Sequence, residues 1–311
     1  MIKIKFVELQ NELFKLFEKR DFEAMHRLIY KAQKDFPERL DKTSFWKACA
    51  YSLQGKQEEA LAILNAALTK GVWWNPDTLM SDPDLHELQS REEFKLIVKK
   101  CEAILNNHQL NSSSKLFVYG NEGSNTGIFS LHWRGSDVND FAPYWYDDEL
   151  LHEYILGFPQ SSQIYGVNSY CWDKRDIAIN DISTTFRDFK EKYNMEQIII
   201  AGASQGGNLA IELSLNDNLL ATKGFIAVIP AIRDIESIEK LIQTKQVANL
   251  KGCMITGDKD PFYKKTIELM SIFEKYDIKC KLIVKEGLGH LFPDDFTKLL
   301  SEAVQYIVEP N

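Results

Sequence analysis

The stretch Gln197–Ser214, QIIIAGASQGGNLAIELS, narrows the fold more than any other part of the chain. An apolar run with strand character leads straight into Gly202-Ala203-Ser204-Gln205-Gly206, and helical spacing begins at once with Gly207, Leu209, Ala210 and Leu213. The pattern is G-x-S-x-G between a strand and a helix, the context in which that motif carries meaning. A turn sharp enough to lift Ser204 out at the strand end strains the backbone at the serine. Bulky side chains two positions away on either side would collide, so glycine belongs at 202 and 206. Ser204 is therefore a candidate nucleophile. The first amides of the following helix face any negative charge developing there, with the Gln205 N–H the first expected donor.

A serine hydroxyl is a poor nucleophile near neutral pH and needs a base, which in turn needs an orienting carboxylate. Histidines stand at 26, 86, 108, 132, 152 and 290, and only His290 sits in a short turn after a late strand, in LIVKEGLGH. Gly287 and Gly289 free that loop to present the ring, a surface-loop histidine being the plainer alternative. The carboxylate belongs just past the strand Gly252–Gly257, where TGDKDPF supplies two. Pro261 holds Asp260 in an extended or turn conformation, which favours Asp260 as the orienter and leaves Asp258 as a turn or capping residue.

Around this motif the chain changes character near residue 110. From Val7 to about Leu105 apolar residues recur at helical spacing, as in Leu9, Leu13, Leu16 and Phe17, then Ala60, Ile63, Leu64 and Ala67. After the polar run NNHQLNSSSK come short β-branched or aromatic runs: LFVYG, GIFSLHW, QIIIAG, GFIAVIPAI, GCMITG and KLIVKEG. Amphipathic windows at 177–193, 206–215, 235–242, 264–275 and 295–307 alternate with several of them. That alternation specifies a largely parallel sheet covered on both faces. Two domains are expected, residues 1–110 helical and 111–311 built on the sheet. The glycine-rich GNEGSNTG at 120–127 reads as a hairpin turn at the sheet edge. In the helical region Ala48, Tyr51, Gly55, Ala60, Leu64 and Ala67 resemble a tetratricopeptide helix pair, and Met25, Ile29, Ala32 and Pro37 echo it 35 residues earlier with Arg20 in place of the glycine. Trp73 and Trp74 read as packing anchors at a helix end.

The region Lys115 to Val308 resembles the α/β-hydrolase superfamily, and within it the phospholipase/carboxylesterase, or dienelactone-hydrolase-like, branch. The residues that carry the resemblance are LHWRGSD at 131–137, PQSSQ at 159–163 with Tyr170 and Trp172, GASQGG at 202–207, GDKDPF at 257–262 and GLGH at 287–290. It implies a doubly wound, mostly parallel sheet and the chain order Ser, Asp, His. It also implies a second oxyanion donor at the backbone amide of Arg134, with His132 a loop-positioning residue. The sequence departs from the family at Trp133, where glycine is usual. Dienelactone hydrolases carry a cysteine nucleophile, so the likeness extends to the fold and not to that activity.

The expected activity is that of a serine hydrolase on carboxylic esters or thioesters, through an acyl-enzyme formed by Ser204, His290 and Asp260. The competing reading is an inactive hydrolase-fold scaffold whose helices bind a protein partner. A third makes the helices a lid or wall over the acyl pocket. No phosphate loop, dinucleotide fingerprint or H-E-x-x-H helix is present, and no cofactor or metal is expected. Asp and Glu total 45 against 37 Lys and Arg, a net charge of −8. That field disfavours nucleic acid and anionic membranes, and tilts the substrate towards small neutral esters. No apolar run approaches a membrane span, and the N-terminus lacks the continuous apolar core of a secretory signal. The five cysteines, at 49, 101, 171, 253 and 280, are scattered with no C-x-x-C pair, which points to a reducing, cytoplasmic setting. Cys171 reads as a buried small residue. Homo-oligomerisation is left open.

Overall fold

The computed structural model describes residues 6–216, 220–244 and 250–309, so Met1–Lys5 of the N-terminal stretch lie outside the described residues. The chain divides into two compact units. One holds the helices up to Asn111 together with Tyr165–Val167, and the other holds Ser112–Ile164 and the chain from Asn168 onward. No helix among the described residues is long and apolar enough to cross a membrane.

The first unit contains α1 (Phe6–Lys19), α2 (Phe22–Asp35), α3 (Leu40–Leu53), α4 (Gln57–Thr69), α5 (Pro76–Ser81) and α6 (Glu92–Leu110). A 3₁₀ turn, Pro83–Leu88, precedes α6. Residues singled out by the repeat pattern face inward: Met25, Ile29, Ala32, Ala48, Ala60, Leu64 and Ala67 are all buried. The turns after α1 and α3 use the same left-handed backbone, with φ 73° at Gly55 and φ 53° at Arg20. Arg20 therefore takes the glycine's place in conformation as well as in sequence. Trp73 and Trp74 are buried, and the Trp74 indole donates to the Asp41 carbonyl at 2.9 Å. They anchor the chain between α4 and α5.

The strands of the chain are β1 (Lys115–Gly120), β2 (Thr126–Leu131), β3 (Ile155–Gln160), β4 (Ile164–Gly166), β5 (Ser169–Tyr170), β6 (Gln197–Ala203), β7 (Gly224–Val228), β8 (Lys251–Gly257) and β9 (Lys279–Lys285), all but β4 lying wholly in the second unit. The helices of that unit are α7 (Val138–Phe141), α8 (Asp148–Glu153), α9 (Arg175–Lys192), α10 (Gln205–Leu215), α11 (Ile235–Thr244), α12 (Tyr263–Lys275) and α13 (Phe296–Val308). Seven strands form one sheet in the order β1-β3-β2-β6-β7-β8-β9, with β1 antiparallel to β3 and the other pairs parallel. Both faces are covered, so the inner strands are continuous apolar runs whose alternate residues serve two cores. Phe129, Ile200, Phe225 and Met254 pack with α9, α10, α11 and α12. Ile128, Ile199, Ile226 and Cys253 pack with α7, α8 and α13 on the other face.

The five helical windows expected after residue 110 all appear. The hairpin does not. GNEGSNTG connects β1 to β2, which are not neighbours, because β3 lies between them and pairs with both. The loop is fastened to the residues before β3 instead, through Asn121 N–H to the Tyr154 carbonyl and Ser124 Oγ–H to the Glu153 carbonyl. β3 escapes a reading by pattern because Gly157 and Pro159 look like breakers. Its ladder to β2 runs only over Ile155–Gly157, so Pro159, which pairs with Leu116 of β1, lies past the end of the β2 ladder.

Candidate active site

The sheet order creates the site. From β2 the chain goes outward to β3 on one side, then returns to place β6 on the other side of β2. In an open parallel sheet such a reversal leaves a crevice beyond the carboxyl ends of the two strands. The loop after β2 carries His132, Trp133 and Arg134, and the turn after β6 carries Ser204.

Ser204 has φ 53° and ψ −114°, outside the regions open to ordinary residues. Three backbone hydrogen bonds hold it there: its N–H donates to the Val228 carbonyl, and its carbonyl accepts from Asn208 and Ala231, each at 3.0 Å. A Cβ at Gly202 would run into the Gly206 carbonyl, and one at Gly206 into the Leu131 and His132 carbonyls. The glycines are thus required by close backbone approach on both sides of the serine. The Asn208 bond to Ser204 is the first of the helical ladder, so the amides of Gln205 and Gly206 precede it and lie at the positive end of α10.

Two further loops converge on this turn. His290 Nε2 lies 2.9 Å from Ser204 Oγ, and His290 Nδ1 lies 2.7 Å from Asp260 Oδ2. The carboxylate can only accept, so it fixes the ring proton on Nδ1 and leaves Nε2 to accept from the serine hydroxyl. The Asp260 side chain has no solvent exposure and its other oxygen accepts the Phe262 N–H at 2.7 Å. Asp258 does not join this chain. It accepts the Gly287 N–H at 2.7 Å, while Lys259 N–H donates to the Leu288 carbonyl at 3.0 Å, so the turn after β8 holds the loop that carries His290.

His132 is fully enclosed. Its Nε2 accepts the Ser161 N–H at 3.3 Å, which puts the ring proton on Nδ1, 2.8 Å from the Trp133 carbonyl. Burial lowers its pKa to about 4, and the Nδ1 hydrogen bond offsets only part of that. The ring is a neutral fastener of the loop. In the unfolded chain it gains its proton near pH 6.5 and in the folded protein near 4. The stability it supplies above pH 6.5 is therefore lost as the pH falls across that interval, by about 3 kcal/mol in all. Urea midpoints measured across it should show this slope in the parent and lose it in His132→Gln. An identical slope in the variant would contradict the assignment.

The side chain of Arg134 grips Asp173: Nε lies 2.9 Å from Oδ1 and 3.1 Å from Oδ2, and an outer nitrogen lies 2.8 Å from Oδ2. Gln205 Nε2 also donates to Asp173, at 2.8 Å, while its Oε1 accepts the Trp172 N–H at 3.0 Å. Burial raises the Asp173 carboxyl, but the hydrogen bonds from Arg134 and Gln205 outweigh it, and the group stays ionised below the usual carboxylate range. One carboxylate thus ties together the two residues expected to supply oxyanion donors. No spacing in the sequence betrays Asp173, because its partners lie 39 and 32 residues away.

Trp133 is anchored among Phe141, Tyr144 and Phe292, with ring centroids 5.3–6.0 Å apart. The bulk that replaces the usual glycine is directed into the apolar layer under α7. Of the aromatic residues around the site, Phe141, Trp145 and Trp172 are core, whereas Tyr144 and Phe292 are only partly buried. Cys171 is buried, and burial pushes its thiol up to about 12, which leaves it inert as a nucleophile.

Comparison with known proteins agrees with this architecture. Residues 5–108 match the family model described as "A/B hydrolase-like, N-terminal domain". No curated protein matches the chain. A solved structure of an uncharacterised protein from Bacillus cereus is 25% identical, with a TM-score of 0.55 over 98% of this chain and 99% of that one. Esterase PE8 is 19% identical with a TM-score of 0.50, and acyl-protein thioesterase 2 from Zea mays 9% identical with 0.52. Each aligns with 63% of this chain and 99% of its own. At these identities the last two speak to fold alone. In fold the chain is similar to α/β-hydrolases, and its helical region matches the model of an A/B hydrolase-like N-terminal domain.

Proposed function

We propose that the protein is a serine hydrolase that cleaves carboxylic esters or thioesters through an acyl-enzyme. The observation that carries this reading is the unbroken hydrogen-bonded series from Ser204 Oγ through the His290 ring to Asp260 Oδ2. As Ser204 Oγ attacks the substrate carbonyl, its proton passes to His290 Nε2, and Asp260 stabilises the imidazolium that forms. The carbonyl oxygen becomes an oxyanion held by the amides of Gln205 and Arg134. Collapse of the tetrahedral intermediate expels the alcohol or thiol with the proton from His290. Water then enters, gives its proton to the same nitrogen, and releases the acid.

In this reading residues 111–311 are the catalytic domain, and residues 1–110 a separate helical module with tetratricopeptide-like pairing. Ester or thioester cleavage is the activity named for two of the fold relatives. It is extended to this chain on the strength of Ser204 and its partners rather than on likeness. The net charge of −8 favours neutral or short-chain substrates over anionic interfaces, and the scattered free cysteines favour a reducing cytoplasmic setting.

A fluorophosphonate probe tests the reading directly: it should label the native protein at Ser204, and absence of labelling on folded protein would favour the scaffold alternative. A panel of esters and thioesters of increasing acyl length then defines the substrate class. Asp173→Asn separates positioning from stability. The Arg134–Asp173 pair is more than a third exposed on both sides, so its loss should cost below about 1 kcal/mol of stability. Removing an oxyanion donor outright costs about 10²–10³ in kcat, and loosening two of them should cost roughly tenfold. Turnover unchanged in this variant would show that Asp173 positions nothing.

A further inference from the structure

A second group of chemically active side chains lies wholly within the helical unit. Cys49 on α3 and Asp82 and Asp84 at the start of the 3₁₀ turn Pro83–Leu88 bring Sγ and a carboxylate oxygen of each aspartate within 4.8 Å of one another. Asp82 Oδ1 accepts the Asp84 N–H at 2.9 Å. Ser52, three residues beyond Cys49 and so on the same face of α3, is 3% exposed, and its Oγ has no hydrogen-bond partner. Ser52, Asp82 and Asp84, with His86 and Glu87, line a cleft of about 770 Å³.

A cluster of acids on an open surface is solvated and needs no ligand. Here the thiol is 3% exposed and neither aspartate is fully exposed, and a buried hydroxyl beside them is unsatisfied, which native structures rarely tolerate without a partner. Burial, and after it Asp82 and Asp84, holds the Cys49 thiol well above its usual range, and burial raises both carboxyls, with Arg20 pulling the other way at Asp84. The arrangement gathers one sulfur and two carboxylate oxygens at a spacing that a single cation can draw together.

We propose that Cys49, Asp82 and Asp84 bind a divalent transition-metal ion of the Zn²⁺ class, with the Ser52 hydroxyl hydrogen-bonded to the coordinated oxygens. The donor set selects the class. A thiolate favours a borderline-soft ion over Ca²⁺ or Mg²⁺, which take six or more oxygens or octahedral oxygen shells. Tetrahedral bonds of about 2.3 Å to sulfur and 2.0–2.2 Å to oxygen place ligand atoms roughly 3.3–3.7 Å apart, so rotamer adjustments on the order of 1 Å close the site. The ion would tie α3 to the 3₁₀ turn. This proposal is independent of the reading of Ser204.

Co²⁺ tests it, because a cobalt–thiolate bond gives a charge-transfer absorption that carboxylates do not. The full-length protein, stripped with a chelator, should take up one equivalent of Co²⁺ with that band, and Zn²⁺ should displace it. The band should vanish in Cys49→Ser, and Co²⁺ affinity should fall at least tenfold in Asp84→Asn and more modestly in Ser52→Ala, roughly in line with the effects of ligand-supporting residues elsewhere. Circular dichroism reports whether each variant is folded, and its spectrum should match the parent's. No thiolate band in folded parent protein at millimolar Co²⁺ overturns the proposal, as does a band that survives in Cys49→Ser. Zn²⁺ should also raise the thermal midpoint of the parent and not of Cys49→Ser; equal shifts in both would place the ion elsewhere.

Discussion

Ser204→Ala is expected to lower kcat/KM for p-nitrophenyl butyrate by roughly 10⁴-fold or more while leaving the thermal midpoint almost unchanged. The substitution removes one atom, the Oγ that lies 2.9 Å from His290 Nε2. Alanine suffers at φ 53° as serine does, so the strain of the turn is common to both, and the net loss of one part-exposed hydrogen bond is about 1 kcal/mol or less. A large kinetic effect with a small thermodynamic one is the signature of a nucleophile rather than of a structural serine. Ser204→Gly sharpens the comparison: it is equally dead, but relief of the left-handed strain should make it as stable as the parent or more so, by about 1 kcal/mol. Activity near the parental level in either variant would refute the proposed mechanism.

Gly206→Ala should be among the most damaging single methyl groups in the second unit. The new Cβ would run into the carbonyl oxygens of Leu131 and His132, and both obstacles are backbone. Leu131 ends β2, and the loop beyond it is held by the Ser161 amide on His132 and by the Trp172 indole on the His132 carbonyl at 3.0 Å. The start of α10 must therefore move away from β2, separating the amides of Gln205 and Arg134. A loss of about 3 kcal/mol or more is expected, at the upper end for an overpacked core, together with most of the turnover. Gly287→Ala is the control. Unlike Gly206 it sits at positive φ, 73°, but a Cβ there meets nothing within 4 Å, so only conformational strain remains, on the order of 1 kcal/mol. Urea unfolding should rank the two clearly, and equal costs would mean that α10 and β2 do not meet as described.

What could be read from the sequence follows from how local each signal is. The serine turn is legible because strand, glycines and helix are contiguous, and the sterics that require Gly202 and Gly206 act within a few residues. Asp260 and His290 lie far apart along the chain, yet each is marked by its own loop, a proline after one and glycines before the other. β3 is obscured because its tolerance of Pro159 depends on where the neighbouring ladder stops, which is a property of β2. Asp173 carries no local mark at all. Its role arises only when Arg134 and Gln205 are brought to it from different loops, and the same holds for Cys49 and Asp82, which meet across two turns of the helical unit. Misreading GNEGSNTG as a hairpin has the same origin: consecutive strands are usually neighbours, and nothing within the turn announces that a later strand will slip between them.

The clasp between the turn after β8 and the loop after β9 has a consequence for motion. β9 is an outermost strand, with one side of its backbone unpaired, and edge strands are where sheets open first. A base mounted on β9 alone would come and go with that breathing. Because Asp258 and Lys259 hold the Gly287 and Leu288 backbone, His290 is carried by the interior turn that also bears Asp260. Amides of β9 can then exchange with solvent faster than those of β8 without His290 leaving Asp260, so the rim of the sheet is free to fluctuate while the hydrogen-bonded series from Ser204 to Asp260 keeps its alignment.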